Sequence, residues 1–133
     1  MAELRPIGSI ETPYTSLEDC PRNVDPSGPP CALVLDPPYE EGLFGLSIGD
    51  RIVVLYWFEG VDRERLRQLR RGEGPILGTF ALRSPHRPNP IAMAEVEIDS
   101  IAGNRVSVRG LDCLNGTPLV DIKPVSRGCR AGR

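Results

Sequence analysis

The sequence predicts a mainly β protein, a single small closed or nearly closed β-barrel with one short helix. Apolar and β-branched residues recur in several short segments with the period of two that is typical of strands. Turn-forming residues separate these segments, and the chain contains 14 glycines and 14 prolines. Many short strands joined by turn-rich connections favour a closed sheet. Residues 1–133 are predicted to form one domain, because 133 residues suffice for a single core.

Seven segments carry strand patterns, and in chain order they are residues 4–10, 32–35, 51–58, 77–82, 94–98, 105–109 and 119–122. The third is almost entirely apolar, which is typical of a strand buried on both faces. In the fifth, apolar and acidic residues alternate, which predicts a strand with one buried face. Gly103 and Asn104 then supply a hairpin turn into the sixth segment.

The single predicted helix spans residues 62–71. Asp62 suits the N-cap position, Leu66 and Leu69 would share one face, and Gly72 follows as a stop signal. A long loop, residues 12–30, lies between the first two predicted strands and is rich in proline, asparagine, aspartate and glycine. Loops of more than about 12 residues inside a compact domain are usually functional or disordered.

Composition argues against a membrane-spanning or secreted protein. No apolar run reaches the roughly 18 residues of a membrane span, and no signal-peptide pattern opens the chain, so a cytoplasmic location is expected. Four cysteines are present, and they are Cys20, Cys31, Cys113 and Cys129. They lack the close spacing of zinc ligands, and disulfides are rare in the cytosol. We therefore expect free thiols and no metal site.

Charge is distributed unevenly along the chain, although its net value is only −2. Residues 1–60 hold ten acidic and three basic side chains, whereas residues 61–133 hold eight acidic and thirteen basic ones. Local positive charge can attract a polyanion whatever the net charge. Five arginines fall in the predicted helix, and they are Arg63, Arg65, Arg67, Arg70 and Arg71. They either contact nucleic-acid phosphates or form a solvated helix face.

Residues 83–90 contain the only histidine, two arginines, an asparagine and three prolines. Each proline fixes its own φ and keeps the preceding residue extended, so this proline loop is stiff and holds polar side chains at set angles. His86 is either a proton acceptor near neutral pH or a hydrogen-bonded spacer. Arg87 and Asn89 either face a substrate or lock the loop through backbone carbonyls.

Near the end of the chain, Asp121 and Lys123 stand two residues apart on the last predicted strand and would share a face. The pair either tunes a proton acceptor or forms a simple salt bridge. Together with His86, Arg87 and Asn89, these two residues are predicted to face the substrate.

Two blocks of the sequence, TFALRSPHRPNPIAMAEV and GLDCLNGTPLVDIKP, resemble the TsaA-like (TrmO-type) family of S-adenosylmethionine-dependent methyltransferases. PIGSIETPY, DCPRN and GDRIVVLYWFEG occur in the order expected for that family, so the resemblance covers nearly the whole chain. It implies S-adenosyl-L-methionine as cofactor, tRNA as substrate and a homodimer. In the best-understood members the methyl acceptor is N6 of threonylcarbamoyladenosine in the anticodon loop. Many of those members carry an additional C-terminal region, so this chain resembles a short form.

The resemblance also implies the cofactor-binding residues, which are Pro21, Arg22, Asn23, Glu59, Gly60, Arg83, Met93, Leu114, Asn115, Gly116 and Thr117. No GxGxxG fingerprint is present, so loops at the rim of a different fold would hold the cofactor. Asn23 replaces a glutamine of the family, Glu59 stands where many relatives carry a histidine-containing pair, and Asn115 replaces an aspartate. The residues around Asn115 also fit a simple tight turn. An alternative function is a non-catalytic β-barrel module that binds a nucleoside-like ligand or RNA.

Overall fold

The computed structural model describes residues 2–125, which form nine strands and four short 3-10 helices. The strands are β1 Gly8–Glu11, β2 Pro30–Leu35, β3 Arg51–Trp57, β4 Arg67–Leu69, β5 Ile76–Gly78, β6 Ile91–Glu97, β7 Ser100–Ala102, β8 Arg105–Arg109 and β9 Thr117–Pro124. Seven of them form one antiparallel sheet in the order β6-β3-β9-β1-β2-β8-β7, and β4 pairs with β5 in a separate hairpin. The predicted mainly β class is confirmed.

The large sheet curls until its two edge strands meet at one corner. β6 forms one edge and β7 the other, yet only Ile98 and Asp99 separate them in the chain. The Asp99 N–H donates to the Ser107 carbonyl on β8 at 2.8 Å, which holds this corner. Within residues 2–125 no ladder joins β6 to β8 beyond it, so a closed barrel is not confirmed. We call the gap between the free edge of β6 and β8, continued to Asp112, the seam.

The core lies against the concave face of the sheet. In β3, Ile52, Val54 and Tyr56 are buried and the residues between them are half-buried. The prediction that this strand is buried on both faces is wrong, because only one face of the curled sheet packs against the core. The alternation predicted for β6 is confirmed by the burial of Ala94 and Val96. The other strands complete the core with Ile10, Leu33, Leu35, Val106, Val108 and Leu119.

The remaining strand predictions are confirmed with shifted ends. The strand predicted from residue 4 begins only at Gly8, and the one predicted for 77–82 shortens to β5 followed by a 3-10 turn. Gly103 and Asn104 form the predicted hairpin turn between β7 and β8. Gly103 has a φ of +61°, which glycine adopts without strain. The long loop predicted between the first two strands is also present, over residues 12–29.

The helix predicted for residues 62–71 does not form. That segment instead contains β4 and the 3-10 helix Arg70–Gly72. Asp62 makes the expected local turn, since its Oδ1 accepts the backbone N–H two residues later at 3.0 Å. However, Leu66 and Leu69 are 62% and 43% exposed, so the apolar face of such a helix would have no core to pack against. A short helix without tertiary packing is marginal in water.

Helical structure in residues 2–125 is limited to the 3-10 segments Leu17–Asp19, Pro37–Leu43, Arg70–Gly72 and Thr79–Ala81. None of these helices is long and apolar enough to cross a membrane.

Gly110 anchors the long connection between β1 and β2. The Asp25 N–H in that connection donates to the Gly110 carbonyl at 2.9 Å. Gly110 has a φ of +72°, and a Cβ on it would lie 1.6 Å from the Asp25 carbonyl oxygen. Both the backbone conformation and the close approach therefore require glycine. The contact holds the β1–β2 connection against the start of the β8–β9 connection.

Gly110→Ala is expected to destabilise the fold by about 3 kcal/mol or more, because it combines left-handed strain with a backbone collision. The matched control is Gly103→Ala, where φ is also positive but a Cβ meets nothing within 4 Å. That change should cost only about 1–2 kcal/mol. Urea unfolding followed by circular dichroism measures both free energies. Equal losses in the two variants would show that the Asp25 contact does not constrain the loop.

Candidate functional site

The connections that carry the predicted cofactor residues emerge at one end of the sheet. Neighbouring strands are antiparallel, so the connections 12–29, 58–90 and 110–116 all leave from the same end, which we call the loop end. Every predicted cofactor residue lies in one of them except Met93, in β6, and Thr117, the first residue of β9. Motifs far apart in sequence are therefore neighbours in space.

The turn formed by residues 114–117 is bonded to the end of β1. Asn115 Oδ1 accepts the Thr12 N–H at 3.1 Å, and the Asn115 N–H donates to the Tyr14 carbonyl at 2.8 Å. Thr117 is buried, and its hydroxyl donates to the Leu114 carbonyl at 2.7 Å. The asparagine that replaces the family aspartate thus has a structural role, which an amide oxygen fulfils as an acceptor.

Residues 21–23 lie beside the same β8–β9 connection. The first is half-buried, and the other two are exposed. The preceding Cys20 is near Asp112: burial is the main cause that raises the pKa of its thiol, and the Asp112 charge adds to the rise. Together with the bond from Asp25 to Gly110, this interaction indicates that segment 21–23 lies near the β8–β9 connection.

A Tyr56–Asp112 pair lies among these connections, and sequence reasoning missed it. The Tyr56 hydroxyl donates to Asp112 Oδ1 at 2.5 Å. Tyr56 is buried and Asp112 half-buried. Burial raises the pKa of both groups, and for Asp112 the bond from Tyr56 opposes that rise. The signal that could have found it is a carboxylate set between the buried Leu111 and Cys113.

Arg83 and Met93 lie on the opposite side of the seam. Arg83 Nη2 donates to the Met93 carbonyl on β6 at 3.2 Å. A small cavity of about 280 Å³ is lined by Val53, Arg83, Met93 and Glu95. Burial raises the pKa of Asp112, and the charge of Arg83 opposes this rise, as expected of groups that share one region. The three connections that carry the predicted cofactor residues therefore leave the sheet at one end, where Arg83 lies near Asp112.

Glu59 and Gly60 follow β3 at the loop end, and both are exposed. The preceding Phe58 donates its N–H to the Pro90 carbonyl at 2.9 Å, so this segment lies next to the proline loop. Gly60 has a φ of +74°, a conformation that favours glycine. The glycine thus sets the turn, and the Glu59 side chain lies at the surface.

Arg87 locks the proline loop. Its Nη1 donates to the carbonyls of Leu82 and Ser84, both at 3.0 Å. Its Nη2 donates to the Thr79 carbonyl at 3.5 Å. The guanidinium is committed to backbone carbonyls, so the structural interpretation of Arg87 fits the geometry and direct contact with a substrate does not.

His86 is held in the same way. Its Nδ1 accepts the Asp62 N–H at 3.1 Å, and its carbonyl accepts Gln68 Nε2 at 3.0 Å. These contacts fit the hydrogen-bonded spacer. Asn89 is exposed, with Oδ1 3.5 Å from Arg63 Nη2. Of the three polar residues predicted to face a substrate from this loop, Asn89 is the one open to solvent.

The arginines predicted on a helix lie instead on the β4–β5 hairpin and on the segment before it. Arg63 stacks over the Trp57 ring at 5.3 Å from its centroid, and Arg65 pairs with Asp62 at 3.3 Å. These two side chains therefore stabilise the β3–β4 connection. Arg67 on β4 is exposed.

The structure does not bring Asp121 and Lys123 to the loop end. Leu55 pairs with Asp121 while Tyr56 pairs with Leu119, so a bulge interrupts β9 and both residues lie in its second half. The salt bridges found within residues 2–125 do not include these two side chains, so the simple salt bridge is absent. Asp121 instead lines a groove of about 1250 Å³ with residues from the opposite end of the sheet.

Cys20, Cys31 and Cys113 are free thiols, and Cys129 lies outside the described residues. Burial raises the pKa of all three, and it raises that of Cys113 to about 12. A thiol with a raised pKa is a weak nucleophile at neutral pH. These cysteines therefore contribute packing rather than covalent chemistry.

Asp112→Asn tests whether the carboxylate is kept at a cost to stability. The amide Oδ1 can still accept the Tyr56 bond, while the cost of burying a charge disappears. Folding raises the pKa of Asp112 from its ordinary value of 3.8. The folded protein therefore binds this proton more tightly than the unfolded chain does, which favours the fold at pH values below 3.8. This advantage is lost as pH rises through the raised folded pKa. The variant should therefore match or exceed the native unfolding free energy at neutral pH, with the gap narrowing in acid.

Urea unfolding across the range from about pH 4 to 7 measures this gap. The matched control, Tyr56→Phe, leaves the half-buried carboxylate without its donor and should cost about 1–3 kcal/mol. An Asn variant clearly less stable than the native protein at neutral pH would contradict the buried-charge account.

Comparison with known proteins places the chain in a family. Residues 9–129 match the family described as the tRNA-methyltransferase O N-terminal domain. The probable S-adenosyl-L-methionine-binding protein VirR of Rhizobium radiobacter is 42% identical over 118 residues, which cover 89% of this chain and 67% of VirR. An S-adenosyl-L-methionine-binding protein of Archaeoglobus fulgidus is 39% identical over 123 residues, which cover 92% of this chain and 88% of that protein.

Solved structures agree with this assignment. The crystal structure of TrmO from Pseudomonas aeruginosa aligns with 100% of this chain at a TM-score of 0.75 and 28% identity. This chain spans 60% of the length of that protein, so the likeness concerns part of it. The family match and the structural match cover the same sheet and the same three connections. The chain therefore belongs to the tRNA-methyltransferase O N-terminal domain family, a family of S-adenosyl-L-methionine-dependent methyltransferases.

Proposed function

We propose that this protein binds S-adenosyl-L-methionine at the loop end and transfers its methyl group to N6 of threonylcarbamoyladenosine in the anticodon loop of tRNA. The observation that carries the proposal is the gathering of three motif connections at the loop end, together with Asp112 and Arg83. Family membership supports the reaction class, and the names of the relatives support the cofactor.

The loop end offers the groups that a sulfonium nucleoside needs. Asp112 and Arg83 supply opposite charges, and the exposed Met93 supplies an apolar surface. Segments 21–23 and 114–117 form two rims. Asp25, which follows the first rim, is bonded to Gly110, and the second rim is bonded to β1 through Gly116. Rims that are rigid before binding reduce the entropy lost when a ligand is ordered.

The bound cofactor supplies a methyl group already activated by the sulfonium. The chain therefore needs no covalent nucleophile, and its task is to align the acceptor nitrogen with that group. The proline loop, locked by Arg87, provides a fixed wall for this alignment. His86 Nδ1 already accepts the Asp62 amide, so a neutral imidazole carries its hydrogen on Nε2 and has no nitrogen free to accept a proton.

The exposed arginines Arg67 and Arg70 are the groups that we assign to the tRNA backbone. Phosphate contacts of this kind orient a nucleic acid without reading its sequence. Selection of the modified adenosine would then depend on the loop end, where the exposed Asn89 offers an amide.

Arg83→Met is expected to weaken cofactor binding about 10- to 100-fold, because it removes a charged hydrogen-bond donor from the seam. Isothermal titration calorimetry with S-adenosyl-L-methionine measures the affinity. The matched control is Arg105→Met, which removes an exposed arginine paired with Glu11 at 2.7 Å. Surface pairs contribute little, so that change should alter the affinity less than about two-fold.

Transfer of a labelled methyl group from the cofactor to tRNA that lacks the modification tests the activity itself. We expect incorporation by the native protein and a loss of it in Arg83→Met. Binding of the cofactor without transfer to any tRNA would favour the alternative, a non-catalytic module. No binding by the native protein would contradict the proposal as a whole.

We also propose a symmetric homodimer. Large apolar side chains are exposed on the β3–β6 connection and on β6, namely Leu66, Leu69, Ile76, Phe80, Ile91 and Met93. Exposed apolar clusters commonly mark protein interfaces, and a second copy placed there would cover the open side of the seam.

Sedimentation equilibrium should give twice the chain mass of 14.6 kDa. Phe80→Asp should shift the population toward the monomer with little loss of stability, because Phe80 is 78% exposed in the single chain. A native protein that sediments as a monomer at working concentrations would reject the dimer.

A further inference from the structure

Asp112 and Arg83 are a carboxylate and a guanidinium that border one opening without pairing. Neither belongs to a salt bridge within the described residues 2–125. Arg83 donates to the Met93 carbonyl at 3.2 Å, although a guanidinium has five N–H donors. Asp112 Oδ1 accepts the Tyr56 hydroxyl at 2.5 Å, and a carboxylate can accept further bonds. Each charged group therefore keeps bonding capacity for a ligand.

The path of the chain brings the two groups toward the loop end from opposite sides of the seam. The seam starts where Asp99 bonds to Ser107. β6 and β8 point in opposite directions, so β6 traced backward and β8 traced forward leave that corner side by side. Met93 lies six residues along the first path and Asp112 five along the second. Both positions lie toward the loop end, and the charge of Arg83 acts on the Asp112 carboxyl, so the two groups border the same part of the seam.

We propose that Asp112 and Arg83 together bind the α-amino acid end of the methyl donor, with Arg83 holding its carboxylate and Asp112 its ammonium group. The inference rests on the proposed function, because it assigns the recognition of that same cofactor. The pair is complementary to a zwitterion, since each charge of the ligand meets its opposite. Tyr56 orients one partner and the Met93 carbonyl orients the other, so little ordering is needed on binding.

This role explains why the fold keeps a half-buried carboxylate at Asp112, although burying its charge lowers stability. Burial raises the pKa of Asp112, and the bond from Tyr56 and the charge of Arg83 offset only part of the rise. A cation bound beside a half-buried carboxylate favours its charged form. A bound ammonium group would therefore offset the unfavourable charge of Asp112.

Three ligands distinguish which part of the methyl donor Asp112 contacts. S-adenosyl-L-methionine has the amino acid end and a sulfonium, S-adenosylhomocysteine has the amino acid end and a neutral sulfur, and 5′-methylthioadenosine lacks the amino acid end. Calorimetry should show that Asp112→Asn weakens binding of the first two about 10- to 100-fold and leaves the third unchanged. The matched control, Asp99→Asn, removes an exposed carboxylate at the closed corner, where it pairs with Arg109 at 3.2 Å. It should leave all three affinities unchanged.

Each other outcome overturns the assignment. An equal loss for all three ligands would place Asp112 against the nucleoside, and a loss confined to S-adenosyl-L-methionine would place it against the sulfonium. No loss would remove Asp112 from the site. A native protein that binds none of the three would instead contradict the proposed function, and this inference with it.

A second variant distinguishes the loss of a specific contact from a general loss of structure. Tyr56→Phe keeps the carboxylate but removes the group that orients it, so it should weaken the same two ligands to a smaller extent. Its affinity for 5′-methylthioadenosine should be unchanged, which a general loss of structure would not allow. Weaker binding of all three ligands by Tyr56→Phe would show that Tyr56 supports the fold rather than Asp112.

Discussion

The two-residue link between β6 and β7 determines how the large sheet folds back on itself. Ile98 is buried and bonded through its backbone to Gly49 and Asp50, and Asp99 is bonded to Ser107. One chain segment thus joins both edges of the sheet at a single corner. The sheet must curl to satisfy this link, and the curl creates both the enclosed core and the seam. The groups that border the seam owe their positions to this closure rather than to their own local sequence.

Strand direction supplies the second condition for the site. Because every pairing in the large sheet is antiparallel, three connections that are distant in sequence leave the sheet at the same end. Most polar side chains there hold the connections in place: Arg87 and Gln68 lock the proline loop, and Asn115 fastens its turn to β1. Asp112 and Arg83 are left with capacity to bind a ligand. The loop end is therefore rigid, and within residues 2–125 the charges of Asp112 and Arg83 are not paired in a salt bridge.

The structure explains one departure from the family pattern but not another. Asn115 serves as a hydrogen-bond acceptor for the backbone of Thr12, so loss of the family's negative charge leaves the turn intact. Nothing in the structure explains Glu59. The family resemblance also points to Asp121 and Lys123, which lie away from the loop end because they are in the second half of β9. A motif can thus belong to the family pattern without lying beside the other motifs in a single chain.

The β class, most strands of the large sheet and the family could be predicted from the amino-acid sequence alone. Alternation of buried and exposed residues, clear in β6, records which face meets the core, and the turn at Gly103 needs only local conformation. The same local signals mislead at residues 62–71, because a cap and two spaced leucines do not reveal whether a core will receive them. The bond between Tyr56 and Asp112, and the position of Arg83 near this pair, could be found only from the three-dimensional packing of the chain. Burial and hydrogen-bond partners depend on how distant segments pack, and no local pattern contains that information.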